Sequence, residues 1–420
     1  MSRFIFFTLG SYGDVIPPLS IAKELVLRSH QVLFCTNEYF SDLVQIHGLE
    51  FLAIPESGDY ETLIKSVNVH HHISLMKALR DHLGSGPVAG MFQLLADLEP
   101  DEDDVLVSYF GNLGLSIFCE NRGLSFVSLL YSPSPLRSLL SPARYQKRNL
   151  LPRLPLFARN LIYQTFDATL DFFLNGDVLQ ACDQCSLKLS GKLSTHLHSK
   201  SKILALFPSE FIGNVPEDWP GSVTVCGFPF LGRVGSGEMS EELETFLADS
   251  NSPVVLFTPG TPNSRSKDFF SRARLACESL GIRGVFCTVH EEQLPPKTPG
   301  FYYAKYLPFA SVLPRVSGIV HHGGIGTSAN SLRAGIPQLI VPWGVDQWDN
   351  SQHLQRLGVG VELPRSQNLQ RSLEALLSKE TALRADELAS RQGWYGGAVQ
   401  AANQLEALSI EGSKTGGIDS

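Results

Sequence analysis

Short apolar runs, each closed by glycine, proline or a polar turn, recur along this chain. Residues 3–9 (RFIFFTL) make the first, stopped by Gly10. A run of that length and composition predicts a buried strand. Leu19, Ala22, Leu25 and Val26 then return at helical spacing, predicting a helix that begins near Pro17-Pro18, where a residue without an N–H is tolerated. Further strands are predicted at residues 31–36 (QVLFCT) and 51–54 (FLAI). Strand, helix and strand in such close succession form a βαβ unit, which calls for a parallel sheet covered on both faces. Apolar runs follow at 105–107 and 126–130, and the pattern restarts at 253–258, 284–288, 318–320 and 338–341. Between the two series, residues 227–237 are rich in Gly, Pro and Phe, which reads as a connection.

The chain is therefore α/β, with two Rossmann-like halves at 1–226 and 251–400, a linker region at 227–250, and a helix end with a flexible tail at 401–420. Its 420 residues carry 34 Lys+Arg against 42 Asp+Glu, a net charge of −8, with 43% hydrophobic residues. That is enough apolar material for packed cores, and the acidic balance argues against a nucleic-acid binder. No window approaches a membrane span and the first apolar run is too short for a signal peptide. The 7 Cys do not read as a disulfide framework, so a cytoplasmic protein is expected, with contact at the inner face of the membrane still allowed.

Chemistry concentrates in residues 321–337 (HHGGIGTSANSLRAGIP), followed by 338–350 (QLIVPWGVDQWDN). A strand end, glycines that let the backbone approach a ligand, and a helix starting near Thr327 make an anion site from free N–H groups and the positive helix end. The spacing is not that of a P-loop, nor of a first-strand dinucleotide fingerprint. This segment, with Ala334-Gly-Ile-Pro337, Pro342 and Asp346-Gln347, resembles the donor-binding signature of the GT-B nucleotide-sugar glycosyltransferases, family 1. Residues 10–17 (GSYGDVIP) resemble the opening loop of the same superfamily. Within it the sequence most resembles the rhamnosyltransferases of rhamnolipid (glycolipid) biosynthesis, through Ser132-Pro-Ser134, Leu206-Phe-Pro208, Asp218-Trp-Pro220 and Gly227-Phe-Pro229.

The resemblance implies a GT-B fold, two Rossmann-like domains facing each other across a cleft, the first for the acceptor and the second for the donor. It implies that His322, with Gly324, Gly326 and Thr327, binds the diphosphate, joined by Thr261. Tyr306 matches the ring that packs on the nucleobase, although a core tyrosine fits the pattern nearly as well. Asp346 and Gln347 match the pair that bonds the sugar hydroxyls. Where many UDP-sugar enzymes hold both ribose hydroxyls with Glu, this chain has Asn330, which is compatible with a thymidine donor. The co-substrate is accordingly dTDP-L-rhamnose or UDP-glucose, with no cofactor and no metal.

Asp14 falls at the superfamily's general-base position, although its place ahead of Pro17 also suits a helix cap. The expected reaction is inverting, metal-independent hexosyl transfer to the hydroxyl of a 3-(3-hydroxyalkanoyloxy)alkanoate-type lipid. The alternative is a glucosyltransferase acting on a sterol, polyketide or other apolar natural product. Residues 136–166 hold several arginines, no acidic residue and many leucines; they suit an anionic amphiphile or membrane surface as well as a solvated helix face. Ser11, Tyr12, Ser132, Arg137 and Arg144 are thus the candidate acceptor region. Cys182-Asp-Gln-Cys185 and His70-His71-His72 are weak metal signals. A nucleotide-sugar epimerase is disfavoured because its Tyr-x-x-x-Lys pair is missing.

Overall fold

The computed structural model describes residues 2–55, 85–232, 239–249, 252–260, 266–344, 346–363 and 368–415. Two parallel sheets organise it. The first contains β1 (Arg3–Phe7), β2 (Gln31–Thr36), β3 (Glu50–Ala53), β4 (Asp104–Tyr109), β5 (Phe126–Leu130), β6 (Lys202–Ala205) and β7 (Val223–Val225), in the order β3-β2-β1-β4-β5-β6-β7. The second contains β8 (Val254–Thr258), β9 (Arg283–Cys287), β10 (Phe301–Ala304), β11 (Gly318–His321), β12 (Gln338–Ile340) and β13 (Gly360–Glu362), in the order β10-β9-β8-β11-β12-β13. Strand order reverses between β1 and β4 and again between β8 and β11. In open α/β sheets such switch points leave a crevice beyond the strands' carboxyl ends.

Alternation along β1 divides its side chains between two cores. Phe4 and Phe6 join one face of the first sheet, and Ile5 and Phe7 the other. The second sheet repeats this arrangement, with Val255 and Phe257 on one side and Val254 and Leu256 on the other. A further core joins the halves: Leu130, Phe207, Phe211 and Phe228 pack with Leu332, Leu354, Leu388 and Trp394.

Helix α1 (Tyr12–Leu27) starts earlier than the sequence pattern suggests. Ser11 and Asp14 form a capping box, which supplies partners for N–H groups that otherwise end unpaired. Pro17 and Pro18 therefore sit inside the helix. Pro18 cannot donate to the Asp14 carbonyl, and the Thr8 hydroxyl at the end of β1 donates there instead, at 3.0 Å. Other helices are α2 (Ser85–Leu98), α3 (Leu113–Arg122), α4 (Leu156–Gln184), α5 (Lys267–Leu280), α6 (Ile325–Arg333), α7 (Gln347–Arg356) and α8 (Gly397–Thr415).

Helix α8 leaves the second half and returns to the first. It packs on α1, placing Ala401, Ala402 and Leu405 in the core that holds Phe4 and Leu19. Arg28 and His30 reach Glu406 at 2.6 and 2.9 Å. The two chain crossings touch: Phe228 N–H donates to the Trp394 carbonyl at 2.7 Å, and Gly397 N–H to the Phe228 carbonyl at 3.1 Å. A side chain on Gly397 would collide with the Gly227 carbonyl oxygen, so the crossing needs glycine there. The described helix runs on to Thr415. No described helix is long and apolar enough to cross a membrane.

Candidate active site in the cleft between the halves

A cleft of about 550 Å³ opens where the carboxyl ends of β1, β4, β8 and β11 face one another. From the first half it is lined by Ser11, Tyr12, Asp14 and Ser132, and from the second by Tyr306, His322, Gly324, Gly326, Thr327, Asn330 and Asp346. The sequence-predicted residues from both halves therefore meet in one space.

Asp14 is the third residue of α1. Its Oδ2 accepts from the Ser11 N–H at 2.8 Å and the Ser11 hydroxyl at 3.0 Å. Gly10 has φ +127°, and a Cβ there would collide with Asp14 Oδ2. The turn thus needs glycine twice over, for its backbone angle and for the carboxylate it accommodates. The capping carboxylate still lines the cleft.

The two adjacent histidines have separate tasks. His321 is fully buried: its Nδ1 accepts from the Gly323 N–H at 3.1 Å, so its Nε2 carries the proton and donates to Gln338 at 3.0 Å. It holds the turn. His322 faces the cleft, and burial pushes it down to about 4, so the ring is neutral at pH 7. Its Nδ1 is buried with no hydrogen-bond partner, a costly state for a polar atom that a ligand oxygen would relieve. The ring lies between two glycines: a Cβ on either Gly260 or Gly324 would run into it. Helix α6 begins beside it with no side-chain cap on Gly324, leaving its first N–H groups and positive end toward the cleft.

Asp346 precedes α7. Burial raises its carboxyl to about 6, and the charge of Asp14 across the cleft adds to this. Asn350 donates both to Asp346 Oδ2 at 2.9 Å and to the Gly323 carbonyl at 3.0 Å, tying the sugar-side carboxylate to the histidine turn. Gln347 does not line the cleft. Its Oε1 accepts from the N–H groups of Trp343 and Gly344 at 2.8 and 3.2 Å, shaping the loop ahead of Asp346. Asn330 turns its amide to the Gly326 carbonyl at 2.8 Å. The Tyr306 ring, exposed to the cleft, lies 5.9 Å from that of Tyr12 on the opposite half.

Arg137 and Arg144 stand outside the cleft lining. Arg137 pairs with Asp167 at 2.5 Å and lies over Phe166, while Arg144 pairs with Glu362 at 2.7 Å in the second half. Thr261 and His70-His71-His72 fall outside the described residues. Cys182 is buried in α4 and Cys185 exposed at its end, both free thiols. Among the described residues no group of His, Cys, Asp and Glu could hold a metal ion. Sequence reasoning missed Tyr109 and Tyr131 in the cleft wall and Asn350 behind it. Asn350 follows Asp346 by one helical turn, and that spacing was its available signal.

Known proteins carry the same architecture. Residues 288–392 match the family described as erythromycin biosynthesis protein CIII-like, C-terminal domain. The chain is 27% identical over 410 residues to O-mycaminosyltylonolide 6-deoxyallosyltransferase of Streptomyces fradiae, covering 96% of this chain and 95% of that one. The chain has the fold of the GT-B glycosyltransferases. A sterol 3-beta-glucosyltransferase of Vanderwaltozyma polyspora is 25% identical over 86% of this chain, which spans 31% of that enzyme. Among solved GT-B structures, spinosyn forosaminyltransferase SpnP superposes with a TM-score of 0.69 at 18% identity, covering 97% of this chain and 99% of that one. The glycosyltransferase SsfS6 from Streptomyces sp. SF2575, complexed with thymidine diphosphate, gives 0.61 at 17% identity, covering 97% and 100%. Each of these named relatives and structures is a glycosyltransferase, and one of them holds thymidine diphosphate.

Proposed function

We propose that this glycosyltransferase inverts the anomeric centre as it moves a hexosyl group, without metal, from a nucleoside diphosphate sugar to the hydroxyl of an apolar acceptor. One observation carries the reading: Asp14 and His322 face the same cleft from opposite halves. Asp14 takes the acceptor's hydroxyl proton as its oxygen bonds to the anomeric carbon. The bond from that carbon to the diphosphate breaks, and the leaving group carries away the electron pair. His322, the Gly324–Thr327 N–H groups and Thr261 meet the growing charge. Asp346 and Gln347 hold and frame the sugar. Tyr306 packs on the base, and Asn330 faces the ribose.

A dTDP-sugar, dTDP-L-rhamnose above all, suits Asn330, whose amide already donates to the Gly326 carbonyl; UDP-glucose is the rival donor. For the acceptor, the names of the relatives support a macrolide-, sterol- or other natural-product alcohol. A 3-(3-hydroxyalkanoyloxy)alkanoate-type lipid, yielding a rhamnolipid or glucolipid, is supported by the apolar cleft wall of Phe110, Leu130, Leu206 and Phe228. Exposed Leu150, Phe157 and Leu161 in the basic 136–166 stretch further suit a protein working at the inner face of a membrane. The domain boundaries follow the same reading, with Ala401, Ala402 and Leu405 packed into the acceptor half's core.

Mixing the protein with each donor and each acceptor class, with and without EDTA, tests this by following release of nucleoside diphosphate. Acceptor-dependent, EDTA-resistant release is expected, and mass spectrometry of the product identifies the sugar and acceptor. Asp14→Asn should lower turnover by about 100-fold or more while thymidine diphosphate still binds. Near-normal turnover in that variant, or loss of release in EDTA, would contradict the mechanism.

A further inference from the structure

Residues 136–150 run from the acceptor wall across to the donor half. On the first side Asp218 accepts from the Ser138 hydroxyl at 2.6 Å and from the N–H groups of Leu139 and Leu140 at 2.5 and 3.1 Å. The Tyr145 hydroxyl donates to the Ser134 carbonyl at 2.6 Å, close in sequence to Ser132 in the cleft wall. On the second side the Arg144 guanidinium makes two bonds to Glu362, at 2.7 and 3.1 Å. Its backbone N–H donates to Asp349 at 2.8 Å, and its charge lies 5.2 Å from the Trp348 ring centre. Asn149 reaches Gln352 at 3.1 Å.

Trp348, Asp349 and Gln352 all belong to α7, the helix Asp346 opens. The ion-paired side chains are 11% and 14% exposed, so water screens them little, and a paired fork of this kind fixes orientation as well as distance. Most contacts that hold α6 and His322 lie elsewhere, on His321, Gln338 and the flanking glycines, with one link to α7 from Asn350 to the Gly323 carbonyl.

We propose that Arg144 is a positioning residue for the transferred sugar: it fixes α7, and with it Asp346, against the acceptor wall. The inference rests on the reading above that Asp346 contacts the donor's sugar. It separates two parts of donor binding, because among the described residues Arg144 makes no contact with the His322 turn or α6, whereas it bonds directly to the helix that Asp346 opens.

The test compares wild type with Arg144→Gln, Arg144→Lys and the exchange pair Arg144→Glu with Glu362→Arg. Calorimetric titration measures thymidine diphosphate and dTDP-L-rhamnose binding, with UDP and UDP-glucose in parallel, and turnover gives kcat. Thymidine diphosphate affinity should stay within about twofold throughout, while Arg144→Gln loses about 10- to 100-fold in kcat through misplaced reacting atoms. The same variant should erase the affinity difference between nucleotide sugar and bare diphosphate. Arg144→Lys keeps charge but not the fork, so it should fall between, and the exchange pair should recover part of the loss. A kcat within about twofold of wild type in Arg144→Gln, or a fall in diphosphate affinity matching the fall in kcat, would overturn the proposal. Wild-type transfer with such results overturns the role of Arg144 alone; a wild type that transfers no sugar overturns the site reading and this role together.

Discussion

The two carboxylates of the cleft sit in different surroundings, and that difference has a measurable result. Asp14 receives two hydrogen bonds from Ser11, whereas desolvation raises the half-buried Asp346 to about 6. Ionised, Asp346 can accept from sugar hydroxyls; protonated, it loses part of that capacity. As pH falls through about 6, kcat/KM for the donor should therefore decline. Asp346→Asn should lower the neutral-pH plateau and remove that acid limb. A pH–rate profile on both proteins checks this, and an unchanged limb in the variant would assign it elsewhere. The histidines affect stability in the same acid direction: burial holds His321 near 3 and His322 near 4. Their contribution is present above the unfolded value of about 6.5 and is lost as pH falls from there toward 4.

At the level of elements, what positions His322 is the absence of side chains on either side of it. Gly324→Ala puts a methyl where the ring stands, while the helix itself tolerates alanine well. We expect thymidine diphosphate affinity to fall at least about tenfold with the circular dichroism of the protein unchanged; binding within about twofold of wild type would show that the ring's place is not essential. The glycine segment was legible from sequence because turn glycines, a strand end and a helix start occur there in succession. Most strands near the cleft were legible for a similar reason: residues 31–36 and 126–130 are largely apolar runs. Strands β7 and β13 were missed because each has three residues and is half-buried, giving periodicity nothing to act on. The long helix α4 was missed because Phe157, Leu161 and Phe172 on its outer side are exposed, which blurs the apolar stripe. The start of α1 was misjudged because proline statistics pointed to Pro17, while the Ser11–Asp14 box governs. Arg144 shows the limit of composition: a basic, leucine-rich stretch suggests a surface, yet its partner Glu362 lies 218 residues away, a separation no local pattern reveals.

The molecule as a whole is joined in three ways: by the core between Phe211, Phe228 and Leu354, by the 136–150 crossing, and by α8. Leu405 is fully buried in the first half's core, although it follows the entire donor half in sequence. Leu405→Ala should cost about 2–5 kcal/mol and should unsettle the acceptor half first. Denaturant melts followed by tryptophan fluorescence, with hydrogen exchange on β1 and α1, would show it; a loss below about 1 kcal/mol would mean α8 packs more loosely than its burial implies.

The course of α8 also bears on how the protein comes into being. A ribosome releases chains from the amino end, and domains ordinarily fold in that order. Here the half synthesised first lacks Ala401, Ala402 and Leu405 until the donor half has been made. Until then the face of α1 that these residues cover stays open to water. A product cut short ahead of α8 should therefore carry a first half with an unfinished core, less stable than in the full chain.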